Sequence, residues 1–151
     1  SQIKTRTQIK TEFLKDAKYR IYFMHEDNDL NKKLKEKLKN HKSVYSISLG
    51  LSENLANFEY VEEVEIEKIK ENSWQEINTV MRIDEENINK GDIDFSQSDR
   101  EYFSDKIAVE MKNDRTVTDY AQVLFERRGK SIKVNVDQYY KDSNNQSLLF
   151  L

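Results

Sequence analysis

A chain of 151 residues, 36% hydrophobic and 35% charged, is the size of one domain with a modest core and a surface that meets water or a partner. It has no cysteine, which excludes disulfides, thiolate catalysis and cysteine-based zinc sites. No apolar run approaches the ~20 residues of a membrane span and no signal-peptide pattern opens the chain, so no membrane partner and a cytoplasmic location are expected.

The net charge of −3 conceals an asymmetry: residues 1–42 carry 12 Lys/Arg against 6 Asp/Glu, and residues 43–151 carry 13 against 22. A basic first third suits phosphate contact, which is mostly an electrostatic term, although a solvated charged face gives the same pattern.

Residues 1–12 are polar, basic and rich in Thr and Gln, without a clear period. Lys18–Met24 alternates, with Tyr19, Ile21 and Phe23 on one side, and predicts a strand. Asp27 or Asn28 offers an N-cap for a helix whose Leu30, Leu34 and Leu38 form one stripe. Acids lie at its start and lysines at its end, as the macrodipole prefers, and Asn40 supplies a stop. Val44–Leu49 predicts a second strand, ended by Gly50, with Ser52 capping a short helical turn through Ala56.

Strict alternation at Glu63–Glu67 predicts another strand, and Trp74–Ile83 suits a strand or a core helix equally. Asp84–Ser104 is acidic and reads as a long loop. Ile107, Val109 and Met111 mark a strand. Ala121, Val123 and Phe125 are expected to pair with Ile132, Val134 and Val136 in a hairpin across Arg128-Gly129-Lys130. Leu148–Leu151 suggests a final strand. No repeat or Pro-rich boundary appears, so one compact unit is expected.

Motifs for the commoner chemistries are missing: no Walker loop, dinucleotide fingerprint, nucleophile elbow or HExxH is present. Asp92-x-Asp94-x-Ser96 has the start of a calcium loop, but Gln97 stands where glycine is needed and Phe103 where the bidentate Glu belongs. His25 and His41 flank the lysine-rich helix, as an acid–base pair or as ordinary helix-end residues. No metal or other cofactor is expected.

One ordered series of residues carries more. It runs Arg6-Thr7-Gln8, Leu14-x-Asp16-x-x-Tyr19-x-Ile21, the lysine-rich helix, Tyr45, and Leu49-Gly50-Leu51-Ser52-Glu53-Asn54-Leu55-Ala56-Asn57-Phe58. It resumes at Asp114-Arg115-Thr116-Val117 and Val123–Val134, and closes at Phe150-Leu151. The series resembles the fifth-numbered Cas family, type I-B branch, the subunit that holds the 5′ handle of guide RNA (crRNA) in type I CRISPR effector complexes (Cascade).

The resemblance implies an α+β chain: a ferredoxin-like (RRM-type, RAMP) half-domain over residues 1–58, with a β-rich C-terminal region, residues 59–151, packed on it. Lys18–Met24 would be the third strand of the RRM-type fold, Asp29–Lys39 its second helix and Val44–Leu49 its fourth strand. Family members place a strand, a helix and a strand before the Arg-Thr-Gln segment, and here that half is absent. The chain is therefore expected to be a fragment or to need a partner to complete its sheet.

The implied function is non-catalytic RNA binding, with the crRNA 5′ handle and the backbone and large Cas subunits as partners. Residues used by the one branch that cuts precursor RNA fall largely upstream, so no nuclease activity is expected. Arg6 is the foremost candidate contact, because a guanidinium grips phosphate bidentately and keeps its charge. Gln8 would read a base edge or sugar, Lys4 and Lys10 would add diffuse attraction, and the backbone at Gly50 and Ser52 would approach a phosphate. Tyr22 and Tyr45 are candidates for base stacking, and Arg127, Arg128 and Lys130 for an RNA or acidic neighbour. The alternative function is a protein-interaction module without RNA binding, or a crRNA-processing endoribonuclease.

Overall fold

The computed structural model describes residues 17–49, 54–83, 88 and 92–151. It is of mixed α+β class, with one α-helix and mostly antiparallel sheet among the described residues. By its contacts the chain divides into two units, Ser1–Val61 and Glu62–Leu151.

In the first unit helix α1 spans Asn28–Lys39. Asp27 is its N-cap: the carboxylate accepts from the N–H groups of Asp29 (2.8 Å) and Leu30 (3.2 Å), two donors the helix itself leaves unpaired. At the other end the Lys42 N–H reaches the Lys37 carbonyl at 2.8 Å and the His41 N–H reaches that of Leu38 at 3.1 Å. This is the Schellman arrangement, with His41 at φ 51° in the left-handed position usually given to glycine.

The two strands expected around this helix are not formed. Among the described residues none of Lys18–Met24 belongs to a strand, and Val44–Leu49 contributes one isolated antiparallel bridge, Ser48 to Leu55. Alternation supplies a face, but a strand also needs a neighbour for its backbone groups. The expected helical turn through Ala56 gives way to antiparallel pairing over its described part: Leu49 N–H donates to the Asn54 carbonyl and Ala56 N–H to that of Ile47, both at 2.9 Å.

In the second unit the strands are β1 (Ile66–Ile77), β2 (Met81–Arg82), β3 (Tyr102–Met111), β4 (Val117–Glu126), β5 (Ile132–Asp142) and β6 (Ser147–Leu148). Trp74–Ile83 is thus resolved toward strand, as the end of β1 and then β2. The alternation at Glu63–Glu67 mostly precedes β1, because the ladder begins only where Ile66 meets Asp142, the last residue of β5.

β5 pairs antiparallel with β1 along its length, and β6 joins the Tyr140–Lys141 end of β5. β6 also meets Ile77, at the opposite end of β1. On a straight ribbon those two points would lie on the order of 25 Å apart. A two-residue strand touches both because the ribbon curls closed, with the bulge of β1 between Lys70 and Ser73 supplying a bend. Thr79 secures the closure: its hydroxyl donates to the Leu149 carbonyl (2.8 Å) and accepts from the Leu149 N–H (2.9 Å).

The second sheet has the order β2-β4-β3. The hairpin expected between Ala121–Phe125 and Ile132–Val136 is absent, because β4 and β5 belong to different sheets. Both sides of β4 are occupied, by β3 and by β2. The apolar pattern agrees with a central strand, since Leu124 and its neighbour Val123 are both buried although they face opposite ways. One core cluster draws on both sheets: Ile77, Met81, Leu124, Ile132, Val134, Val136 and Tyr139, joined by Ile88 and Ile93.

The turn that carries the chain from β4 to β5 is held by side chains and by Gly129 at φ 73°. The buried Glu126 carboxylate accepts from the N–H groups of Arg128 and Lys130, both at 2.8 Å, and of Glu101 at 3.0 Å. Desolvation raises the Glu126 pKa, but the three N–H donors and the Lys130 charge outweigh it, leaving the carboxyl below its usual value.

Candidate nucleic-acid interface

All six candidate RNA contacts, Lys4, Arg6, Gln8, Lys10, Gly50 and Ser52, lie outside the described residues. The described residues on either side of 50–53, Leu49 and Asn54, are hydrogen-bonded to each other, Leu49 N–H to the Asn54 carbonyl at 2.9 Å.

Within the first unit the described cationic surface is that of α1, where Lys32, Lys33, Lys37 and Lys39 are exposed around the half-buried Leu34 and Leu38. The Lys39 ammonium lies 4.9 Å from the centre of the Tyr60 ring. Among the described residues of this unit no side chain is buried. Tyr19, Ile21, Phe23, Val44 and Tyr45 are each more than half exposed. Tyr45 therefore presents its ring to solvent, as a stacking residue must, whereas Tyr22 is half-buried.

The histidines serve the ends of α1. His25 Nδ1 accepts from the Asp27 N–H at 2.9 Å and its carbonyl accepts from the Asn31 amide at 2.7 Å, while the His41 ring lies 5.5 Å from that of Phe58. A helix of 12 residues holds its ends ~18 Å apart, too far for two imidazoles to exchange protons with one substrate atom.

In the second unit the cations of the β4–β5 turn already have acidic neighbours within the chain. Arg128 pairs with Glu101 and with Asp99 (3.5 Å), Arg127 with Glu101 (3.7 Å), and Lys130 with Asp99. Their alignment with 99–101 rests on the irregular segment before β3, which carries no periodic signal, so sequence reading had no means of finding these partners.

Sequence reading also missed a cavity of about 190 Å³ lined by Lys68, Arg82, Val136, Gln138, Tyr140 and Phe150 among others. The available signal was the alternation of β5. Ile132, Val134 and Val136 share one face of the strand and enter the core; the next two residues on that face are Gln138 and Tyr140. The Tyr140 and Phe150 rings meet edge to face at 5.2 Å, and the Lys68 ammonium stands 5.6 Å from the Tyr140 ring centre. Arg82 reaches Asp119 at 3.3 Å.

Compared with protein-family models, curated proteins and solved structures, the chain has no match.

Proposed function

We propose that this chain is a non-catalytic RNA-binding subunit of a type I CRISPR effector complex, cytoplasmic, which holds the 5′ handle of the crRNA and contacts neighbouring Cas subunits. The observation that carries the reading is the order and spacing of the series from Arg6 to Phe58, with its continuation at Val123–Val134. The basic balance of residues 1–42 supports it, because phosphate neutralisation supplies most of the affinity for single-stranded RNA. α1 supports it as well: Asn28–Lys39 lies where the resemblance asks for the second helix of a ferredoxin-like half-domain. The exposed apolar residues of the first unit fit a module that is finished by a neighbour in an assembly.

Arg6 and Lys10 would neutralise handle phosphates, Gln8 would read a base edge or sugar, Lys4 would add attraction, and the backbone around Gly50 and Ser52 would approach a phosphate. Replacing Arg6 and Lys10 together with alanine is expected to weaken handle binding about tenfold or more in a fluorescence titration, at ~1.5–3 kcal/mol per charged hydrogen bond. Equal binding by the wild type and the double variant would sink this site assignment.

The same exposed apolar set favours a second reading, a protein-interaction module that binds no RNA. Handle-independent capture of a Cas subunit, with no RNA affinity in any state, would favour it over the first.

A further inference from the structure

The second unit is acidic as a whole, yet it directs Lys68 and Arg82, from β1 and β2, into one cavity with an amide and two aromatic rings. We propose that this cavity binds one unpaired nucleotide, its base against Tyr140 and Phe150 and its phosphate at Lys68. The nucleotide as ligand class rests on the RNA-binding reading above; the cavity itself does not.

Three observations support it. First, on the face of β5 that begins with Ile132, Val134 and Val136 in the core, the next two residues, Gln138 and Tyr140, line the cavity instead, while the buried core residue at that end is Tyr139 on the opposite face. Polar groups at the mouth of a closed sheet are typical of small-ligand sites.

Second, the ring edge-to-face pair and the Gln138 amide offer what a base needs: an aromatic wall, and a donor and acceptor for its polar edge. At about 190 Å³ the cavity lies below the ~300 Å³ lower bound of drug-sized pockets, so it takes a single base with the phosphate at the opening. Third, Lys68 makes no ion pair among the described residues, whereas Arg82 is engaged with Asp119. The exposed Lys68 ammonium is thus the cation at hand for an incoming phosphate, and Arg82 adds positive potential to the wall.

The test uses the full chain with Lys68→Ala and Gln138→Leu, each checked for an unchanged far-UV spectrum and melting temperature. The probes are the four nucleoside 5′-monophosphates, inorganic phosphate, and the single-stranded handle RNA carrying a photo-crosslinkable base. The expected result is monophosphate binding well above phosphate alone, weakened about tenfold by Lys68→Ala, with crosslinks in residues 136–150.

If handle RNA shows the same loss, and its salt dependence falls by about one phosphate's worth, the nucleotide comes from the strand. If monophosphates bind and RNA is unaffected, the source is a free nucleotide and the cavity assignment stands. RNA that responds to Arg6→Ala with Lys10→Ala but ignores both cavity variants, with no monophosphate binding, overturns the cavity and leaves the handle reading intact. Monophosphate binding without any RNA binding fails the handle reading alone. Binding of phosphate equal to that of nucleotides in every variant also overturns the proposal.

Discussion

Three backbone N–H groups, of Glu101, Arg128 and Lys130, converge on the buried carboxylate of Glu126 and hold the crossing from one sheet to the other. Glu126→Ala leaves those donors without their acceptor and is expected to cost about 1–3 kcal/mol in chemical denaturation. Asp27→Ala removes the cap of α1 and is expected to cost about 1 kcal/mol, read as lost helical signal with the β-sheet contribution unchanged. His41→Gly should act the other way, because glycine adopts the left-handed C-terminal position of α1 without the steric cost that histidine bears. At this scale much was legible. The cap at Asp27, the leucine stripe and the stop at Asn40 are local rules, and the helix obeys them. The carboxylate of Glu126 was not legible, since its third donor, Glu101, is distant in sequence and meets it only through the ladder of β3 with β4.

Element by element, what sequence could not settle was pairing. Alternation located the end of β4 (Ala121–Phe125) and the start of β5 (Ile132–Val136), yet the expected hairpin does not form between them because each strand already has its own neighbours. Lys18–Met24 and Val44–Leu49 alternate as strands do, and the structure gives them no ladder, because pairing depends on a partner that local sequence does not name. β6 is the opposite case. Two residues long, it gave only a weak terminal apolar signal, yet it joins the two ends of the curled β1–β5 ribbon. Leu148 in it is fully buried, so Leu148→Ala is expected to cost about 2–5 kcal/mol, far more than the length of the strand suggests. Thr79→Val tests the same clasp at constant shape: loss of the reciprocal bond pair with Leu149 should cost about 1–3 kcal/mol. A Thr79→Val melting temperature equal to that of the wild type would mean that packing and the ladder bonds to β1 and β5 hold β6 without the Thr79 clasp.

For the molecule as a whole, charge organises both stability and the proposed function. Asp94, Asp99, Asp114 and Glu126 all have pKa values held below the ordinary carboxyl range. Hydrogen bonds from Ser96, Lys130 and Thr116 are the leading causes for the three aspartates, and backbone donors outweigh desolvation for Glu126. A carboxyl with a folded pKa below its unfolded one stabilises fully above the unfolded value, about 4, and loses that contribution as pH falls through the folded value. Stability should therefore be flat from neutrality to about pH 5 and decline below about pH 4, with Glu126→Gln flattening that decline. In the proposed assembly the basic residues 1–42 would supply most of the attraction to RNA, and the acidic remainder, outside the cavity, would offer a surface for neighbouring subunits. The candidate contacts from Lys4 to Ser52 were legible only through the order of the family-like series, because no local rule separates a phosphate-binding arginine from an ordinary basic residue. The most direct measurement is the affinity of this chain for the crRNA 5′ handle, against a scrambled handle, across a salt series. The account predicts a preference for the true handle and an affinity that falls steeply with salt, less steeply when Arg6 and Lys10 are alanine. Equal, salt-insensitive or absent binding of the two RNAs would contradict it.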